Sequence, residues 1–138
     1  MLGGHFSVIT TLKRSIPALK KNLKNYGLYD NCVSLSSVDI PVLELESNLN
    51  LTEQKIEEKI KEILDNSDTE IFVLGCAGMA DFAIKMKKKY NIPVIEGISV
   101  AVKFAESFID LDLKTSSRNS FAMPRSKKFT GIFKNFEV

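Results

Sequence analysis

Residues 71–90, IFVLGCAGMADFAIKMKKKY, decide the fold. The apolar run 71–74 is too short for a helix and ends at glycine, which marks it as a buried strand. Gly75-Cys76-Ala77-Gly78 follows, and then Met79, Phe82, Ala83, Met86 and Tyr90 recur at helical spacing. The stretch therefore reads as a strand that turns directly into a helix and sets a cysteine at the helix N-terminus. Unpaired N–H groups and the helix dipole there favour negative charge, so a thiol at that point tends toward thiolate. The flanking glycines leave the sulfur uncrowded and let a ligand approach the backbone.

The same alternation repeats on both sides. Phe6–Thr10 is β-prone and predicts a first strand. Ser15 with Pro17 opens a helix, Leu19, Leu23 and Tyr26 mark its inner face, and Gly27 stops it. Residues 32–38 read as a second strand and 39–46, with Pro41, as an extended connection. Thr52 is a candidate N-cap, Leu51 and Ile56 have staple spacing, and Ile56, Ile60, Ile63 and Leu64 form a buried stripe. Residues 70–75 give the third strand and 93–95 the fourth. Strands alternating with helices predict an α/β fold: a three-layer sandwich around a mainly parallel four-stranded sheet, in a single domain over 1–138.

The helix expected at 98–109 is more apolar than the others. Ile98, Val100, Ala101, Val102, Phe104, Ala105, Phe108 and Ile109 leave it little polar surface. Such a helix is expected to be buried on more than one side, either centrally in this domain or against a missing lobe or second subunit. After Asp112 the chain is polar and basic with scattered Phe121, Phe129, Phe133 and Phe136.

Composition narrows the class. A chain of 138 residues, 44% hydrophobic and 26% charged, can bury a real core. A net charge of +2 gives no pull toward nucleic acid, and no apolar run approaches the ~20 residues of a membrane span. The first residues carry no secretory leader pattern. Cys32 and Cys76 lie far apart, without a CxxC, which fits a reduced, cytoplasmic chain. One histidine, His5, read as a surface residue, argues against a histidine-based zinc site.

Ligands of open α/β sheets gather at the carboxyl ends of the strands. Thr10 and Thr11 end the first strand, Gly75 and Cys76 the third, Glu96 and Gly97 the fourth. Cys76 is a reactive thiol or a small buried hydrophobe. Thr10 and Thr11 donate hydrogen bonds to a carboxylate or ring carbonyl, or simply end a strand. Glu96 touches substrate or caps the next helix. Thr115 and Ser116 belong to the site or form a plain turn. Cys32 alternates with apolar neighbours and reads as a packed core thiol. Lys85, Lys87, Lys88 and Lys89 read as a solvated helix face.

The words around these residues resemble the C-terminal part of hydantoin racemases, within the aspartate/glutamate racemase superfamily. The matching stretches are residues 6–28 (FSVITTLKRSIPALKKNLKNYGL), 39–46 (DIPVLELE), 72–83 (FVLGCAGMADFA), 92–106 (IPVIEGISVAVKFAE) and 111–118 (LDLKTSSR). The resemblance implies one lobe of the racemase fold and chemistry without pyridoxal phosphate or metal. In such enzymes two cysteines flank the α-carbon of a small substrate, one thiolate taking the proton and the other thiol returning one. Cys76 matches the second cysteine. The threonine pair, Ala77 and Gly78 fall where donors stabilise the developing enolate. The Gly-Cys-Ala-Gly-Met form lacks the histidine of the Gly-Cys-Thr-His form in glutamate and aspartate racemases, which favours a hydantoin- or allantoin-type substrate. Family members carry an N-terminal segment with a first catalytic cysteine that this sequence does not show. A homo-oligomer or a missing N-terminal lobe is therefore the expected partner. One-cysteine chemistry of the arylmalonate decarboxylase kind and a non-catalytic interaction or remnant domain are the alternatives.

Overall fold

A computed structural model of the chain describes residues 2–126 and 128–136. Four parallel strands, β1 (Phe6–Thr10), β2 (Cys32–Ser37), β3 (Ile71–Leu74) and β4 (Val94–Glu96), form one sheet in the order β2-β1-β3-β4. Phe6 pairs with Ile71, Ile9 with Leu74, and Leu74 in turn with Glu96. This register brings the carboxyl ends of β1, β3 and β4 to one edge. The expected α/β sheet is present, with β1 at the bounds read from the sequence and the ends of the other strands shifted by at most one residue.

Alternation along the strands divides the side chains between two faces. One face carries Ile9, Phe72, Leu74 and Val94, and meets α2 (Leu49–Asn66) and α3 (Ala80–Tyr90) in a single buried cluster. Ile56 and Ile60 are wholly buried there, each contributing about 1.5–3 kcal/mol by transfer from water. The other face carries Phe6, Val8, Ile71, Val73 and Ile95, and α1 (Ile16–Asn25) lines a trough over it.

Helix ends explain the boundaries. Gly27 adopts φ +68, the Gly27 N–H donates to Lys24 O and the Leu28 N–H to Leu23 O, so the glycine closes α1 as the sequence required. At α2 the expectation fails by one turn. Asn48 is the N-cap, its side chain accepting the Leu51 N–H at 3.1 Å. Thr52 instead turns inward, 1% exposed, and donates its hydroxyl to Leu45 O at 2.9 Å.

The final helix, α4 (Gly97–Asp110), begins at the residue after β4. It is exposed along its whole length, with Phe104 62% and Phe108 53% accessible, so the expected burial is not found. The chain divides into two compact units, Met1–Phe104 and Ala105–Val138. The second holds the end of α4, a reversal in which the Leu113 N–H bonds Phe108 O at 2.8 Å, and 3-10 turns at Asn119–Phe121 and Gly131–Phe136. Among the described residues no helix is long and apolar enough to cross a membrane.

Candidate active site

The turn after β3 builds the centre of the site. Leu74 and Met79 are buried anchors, 2% and 0% exposed, while Gly75, Ala77 and Gly78 between them face solvent. Gly75 continues the sheet, its N–H donating to Ile9 O at 2.8 Å. Cys76 is extended, with φ −140 and ψ 135, and caps a 3-10 turn, Ala77–Met79, that runs into α3. Its carbonyl accepts the Met79 N–H at 3.0 Å, the first bond of that turn. The Ala77 and Gly78 N–H groups precede this bond, in the first-turn positions that stay open to an anion or a developing oxyanion. Cys76 is half-buried and its side chain packs against the core cluster. Cys76 thus packs in part against the core, while Gly75, Ala77 and Gly78 around it are exposed.

Thr10 lies beside this turn. A β-carbon on Gly75 would stand 3.7 Å from Thr10 Cβ. Thr10 and Thr11 are buried, and their carbonyls are taken by the chain leaving β2: Val38 N–H donates to Thr10 O at 3.0 Å and Ile40 N–H to Thr11 O at 3.2 Å. That segment also delivers two residues that the sequence reading treated only as a connection. Asp39, at φ 53, accepts the Ser37 hydroxyl at 3.0 Å and the Lys13 N–H at 3.1 Å. These bonds, that from Ser37 first, hold its carboxyl below the usual carboxylate range. Leu45, wholly buried, closes over Gly78. The Asp-Ile-Pro sequence, a turn former before a proline, is the signal that a shaped loop stands there.

Glu96 and Gly97 reach the same edge on β4. Both Glu96 carboxylate oxygens are engaged locally, Oε2 by the Ile98 N–H at 2.7 Å and Oε1 by the Ser99 N–H at 2.9 Å. Hydrogen bonding from the Ser99 side chain and these two amides lowers its pKa against a smaller opposing effect of burial. The helix-capping role is the one its geometry displays. Cys32 starts β2, at the opposite edge of the sheet, about 16 Å along the strand from Ser37 at ~3.3 Å per residue. It cannot serve as a second thiol beside Cys76. Thr115 and Ser116 lie in the second unit.

A family model described as Asp/Glu/hydantoin racemase matches residues 1–105, three quarters of the chain. The chain belongs to that family. It is 33% identical over 136 residues to a hydantoin racemase of Pseudomonas sp. (strain NS671), covering 99% of this chain and 55% of that protein. With a hydantoin racemase of Rhizobium meliloti it shares 37% identity over 126 residues, 91% of this chain and 52% of the relative. In three dimensions it resembles the allantoin racemase from Klebsiella pneumoniae, with a TM-score of 0.85 and 36% identity across 96% of this chain and 54% of the other. This racemase-family chain therefore spans about half the length of the relatives it matches. Its four-stranded parallel sheet is the fold of the matched part of that allantoin racemase structure.

Proposed function

We propose that this chain forms one lobe of a cofactor-independent racemase acting on a hydantoin, allantoin or related amino-acid derivative, with Cys76 as the acid–base group. The carrying observation is the turn itself: a thiol at the carboxyl edge of a parallel sheet, followed at once by the open N–H groups of Ala77 and Gly78 and flanked by Thr10. In a 5-substituted hydantoin the carbon between the carbonyl and the ring nitrogen bears an acidic hydrogen. The Cys76 thiolate takes that proton, forming S–H as C–H breaks, and the electron pair moves onto the carbonyl oxygen. The amides and the threonine pair stabilise the resulting enolate. Gly75 gives the substrate room, and Glu96 and Gly97 fix the neighbouring strand end. Racemisation also needs a proton donor on the other face, and we assign it to another polypeptide lobe, in the same protein or in a second copy. Two free cysteines fit a reducing, cytoplasmic setting.

A one-base reaction is the second reading. It rests on the placement of Cys32 at the opposite sheet edge, which leaves Cys76 as the one thiol at the site. The deciding experiment is α-proton exchange of a 5-substituted hydantoin in deuterated buffer, with Cys76→Ala beside the wild type. Exchange above background that vanishes in the variant supports Cys76 as the base. Loss of optical activity then indicates that both faces are served, and one-handed product favours one-base chemistry. Background exchange in both proteins rejects a stand-alone enzyme.

A further inference from the structure

The inward stripe of α2 is Thr52, Ile56, Ile60 and Ile63, all buried. Its first position is the odd one. Valine has the shape of threonine and no polar atom to desolvate, so a hydroxyl in this stripe calls for a partner. That partner is Leu45 O, seven residues earlier, at 2.9 Å. The loop it reaches otherwise faces outward. Over residues 41–50 Leu45 is the one buried side chain, and its neighbour Leu43 is 92% exposed. The amides around it bond locally: Glu44 N–H donates to Pro41 O at 2.9 Å, Leu45 N–H to Val42 O at 3.3 Å and Ser47 N–H to Glu44 O at 3.2 Å. These bonds shape the loop without fastening it to the domain. Leu45 thus enters the core as a single knob, and the Thr52 hydroxyl ties its backbone to α2.

We propose that Thr52 is a positioning residue for the Cys76 turn, acting through Leu45. The inference rests on the reading of Cys76 as the acid–base group. The Leu45 side chain carries the effect. Its Cδ1 is 3.0 Å, and Cys76 Sγ 3.9 Å, from the place a β-carbon on Gly78 would take. Leu45 also belongs to the buried cluster on which the half-buried Cys76 leans. Its methyl therefore backs the turn at Gly78, whose N–H is one of the two open donors beside the sulfur. Dense packing passes the displacement of such a knob to whatever it touches. Without the Thr52 hydroxyl, Leu45 O is left buried and unpaired. An exposed loop relieves that by turning the carbonyl toward water, and the leucine withdraws with it. Because valine keeps the shape of the α2 stripe, the loss falls on the loop and the turn and not on the helix.

The test labels the full chain with iodoacetamide over a pH series, comparing Thr52→Val and Thr52→Ser with the wild type. Cys32, at the opposite edge of the sheet, is the internal reference in the same sample. General loosening of the fold changes both thiols, whereas a displaced turn changes Cys76 alone. Thr52→Val is expected to lower the Cys76-to-Cys32 rate ratio at neutral pH at least about threefold, as the thiolate loses its fixed first-turn amides. The pH dependence of Cys76 labelling shifts with it, that of Cys32 does not, and Thr52→Ser restores both the ratio and the profile. Leu45→Val withdraws Cδ1 and leaves the backbone bonds of the loop in place. It is expected to give the same loss, with no further one when Thr52→Val is added. An unchanged ratio in Thr52→Val, an equal change in both thiols, no rescue by serine, or full additivity with Leu45→Val would overturn the proposal. Labelling needs no turnover, so the two readings fail separately. Absent hydantoin exchange with a lowered ratio rejects the acid–base role of Cys76 and upholds the hold of Thr52 on the turn.

Discussion

Leu45 Cδ1 lies 3.0 Å from the point where a β-carbon on Gly78 would stand, and Cys76 Sγ is 3.9 Å from that same point. Gly78 is thus a space-limited position whose neighbours are a wholly buried leucine and the candidate catalytic sulfur. Its backbone is not left-handed, so the demand for glycine is steric. Gly78→Ala is expected to cost about 1–3 kcal/mol through overpacking, despite alanine's better helix propensity. Adding Leu45→Ala recovers part of that cost if the clash is the cause. Urea melts of the two single variants and the double variant measure it, and strict additivity would refute the pairing.

The two cysteines should differ in reactivity at neutral pH. The Cys32 thiol is pushed up mainly by burial, and it donates to Ser34 O at 3.4 Å. Cys76 stands on an open turn ahead of a helix. Because the thiolate is the nucleophile, iodoacetamide is expected to modify Cys76 at least several-fold faster. Peptide mass spectrometry over a time course reads this directly. Equal rates would place Cys76 in the same packed class as Cys32.

Much of the fold was legible because local and global signals agreed. The strand-glycine-cysteine-helix passage, the stop at Gly27 and the Ile56-Ile60-Ile63 stripe each carry one periodicity and one breaker. Where two residues competed for one role, the sequence did not discriminate. Asn48 and Thr52 are both good caps, and the winner was set by Leu45, whose carbonyl takes the Thr52 hydroxyl. The role of Leu45 at the site was equally invisible, since it depends on a loop folding back onto residues 33 positions later. For α4 the sequence registered an unusual apolar surface and inferred burial. In the single chain that surface is exposed, because its cover is not supplied by the elements around it.

Glu96 gives a pH signature. Its carboxyl is lower in the folded chain than the ordinary value, through the Ser99 side chain and the two first-turn amides. A depressed carboxylate stabilises above its unfolded pKa, and that contribution is lost as pH falls through the folded one. Acidification below about pH 4 is therefore expected to fray α4 from its N-terminus. Glu96→Gln should show reduced helix protection already at pH 7, with a smaller further change on acidification. Amide hydrogen exchange at Ile98 and Ser99 resolves this, and a variant with wild-type protection would exclude the cap.

A second acidic residue ties two helices together. Glu57 on α2 meets Lys61 at 2.8 Å, Lys89 of α3 at 2.8 Å and the Tyr90 hydroxyl at 3.1 Å. The Lys61 and Lys89 hydrogen bonds lower its pKa to about 2 from 4.5. Its contribution is complete above pH 4.5 and fades toward pH 2. Glu57→Gln should lower the melting temperature at pH 7, and the gap from wild type should close as the pH is taken down through that window. A gap that is the same at both ends would assign the loss to packing instead of charge.

Beneath β1, a chain of hydroxyls offers a sharper energetic test. Ser7, wholly buried, shares a 2.7 Å hydrogen bond with Thr69, and Thr69 shares a 2.8 Å bond with Ser67, which donates to Ile63 O at 2.7 Å. The run fastens the start of β1 to the end of α2 just before β3 enters the sheet. Thr69→Val keeps the shape but removes the central hydroxyl, leaving the Ser7 hydroxyl buried and unpaired. That is expected to cost about 1–3 kcal/mol. Thr69→Ser, which keeps the hydroxyl and loses only a methyl, should cost less. Ser7→Ala combined with Thr69→Val removes both partners and should recover part of the loss, because no polar group is then stranded. A double variant as unstable as the sum of the singles would show that each hydroxyl acts alone.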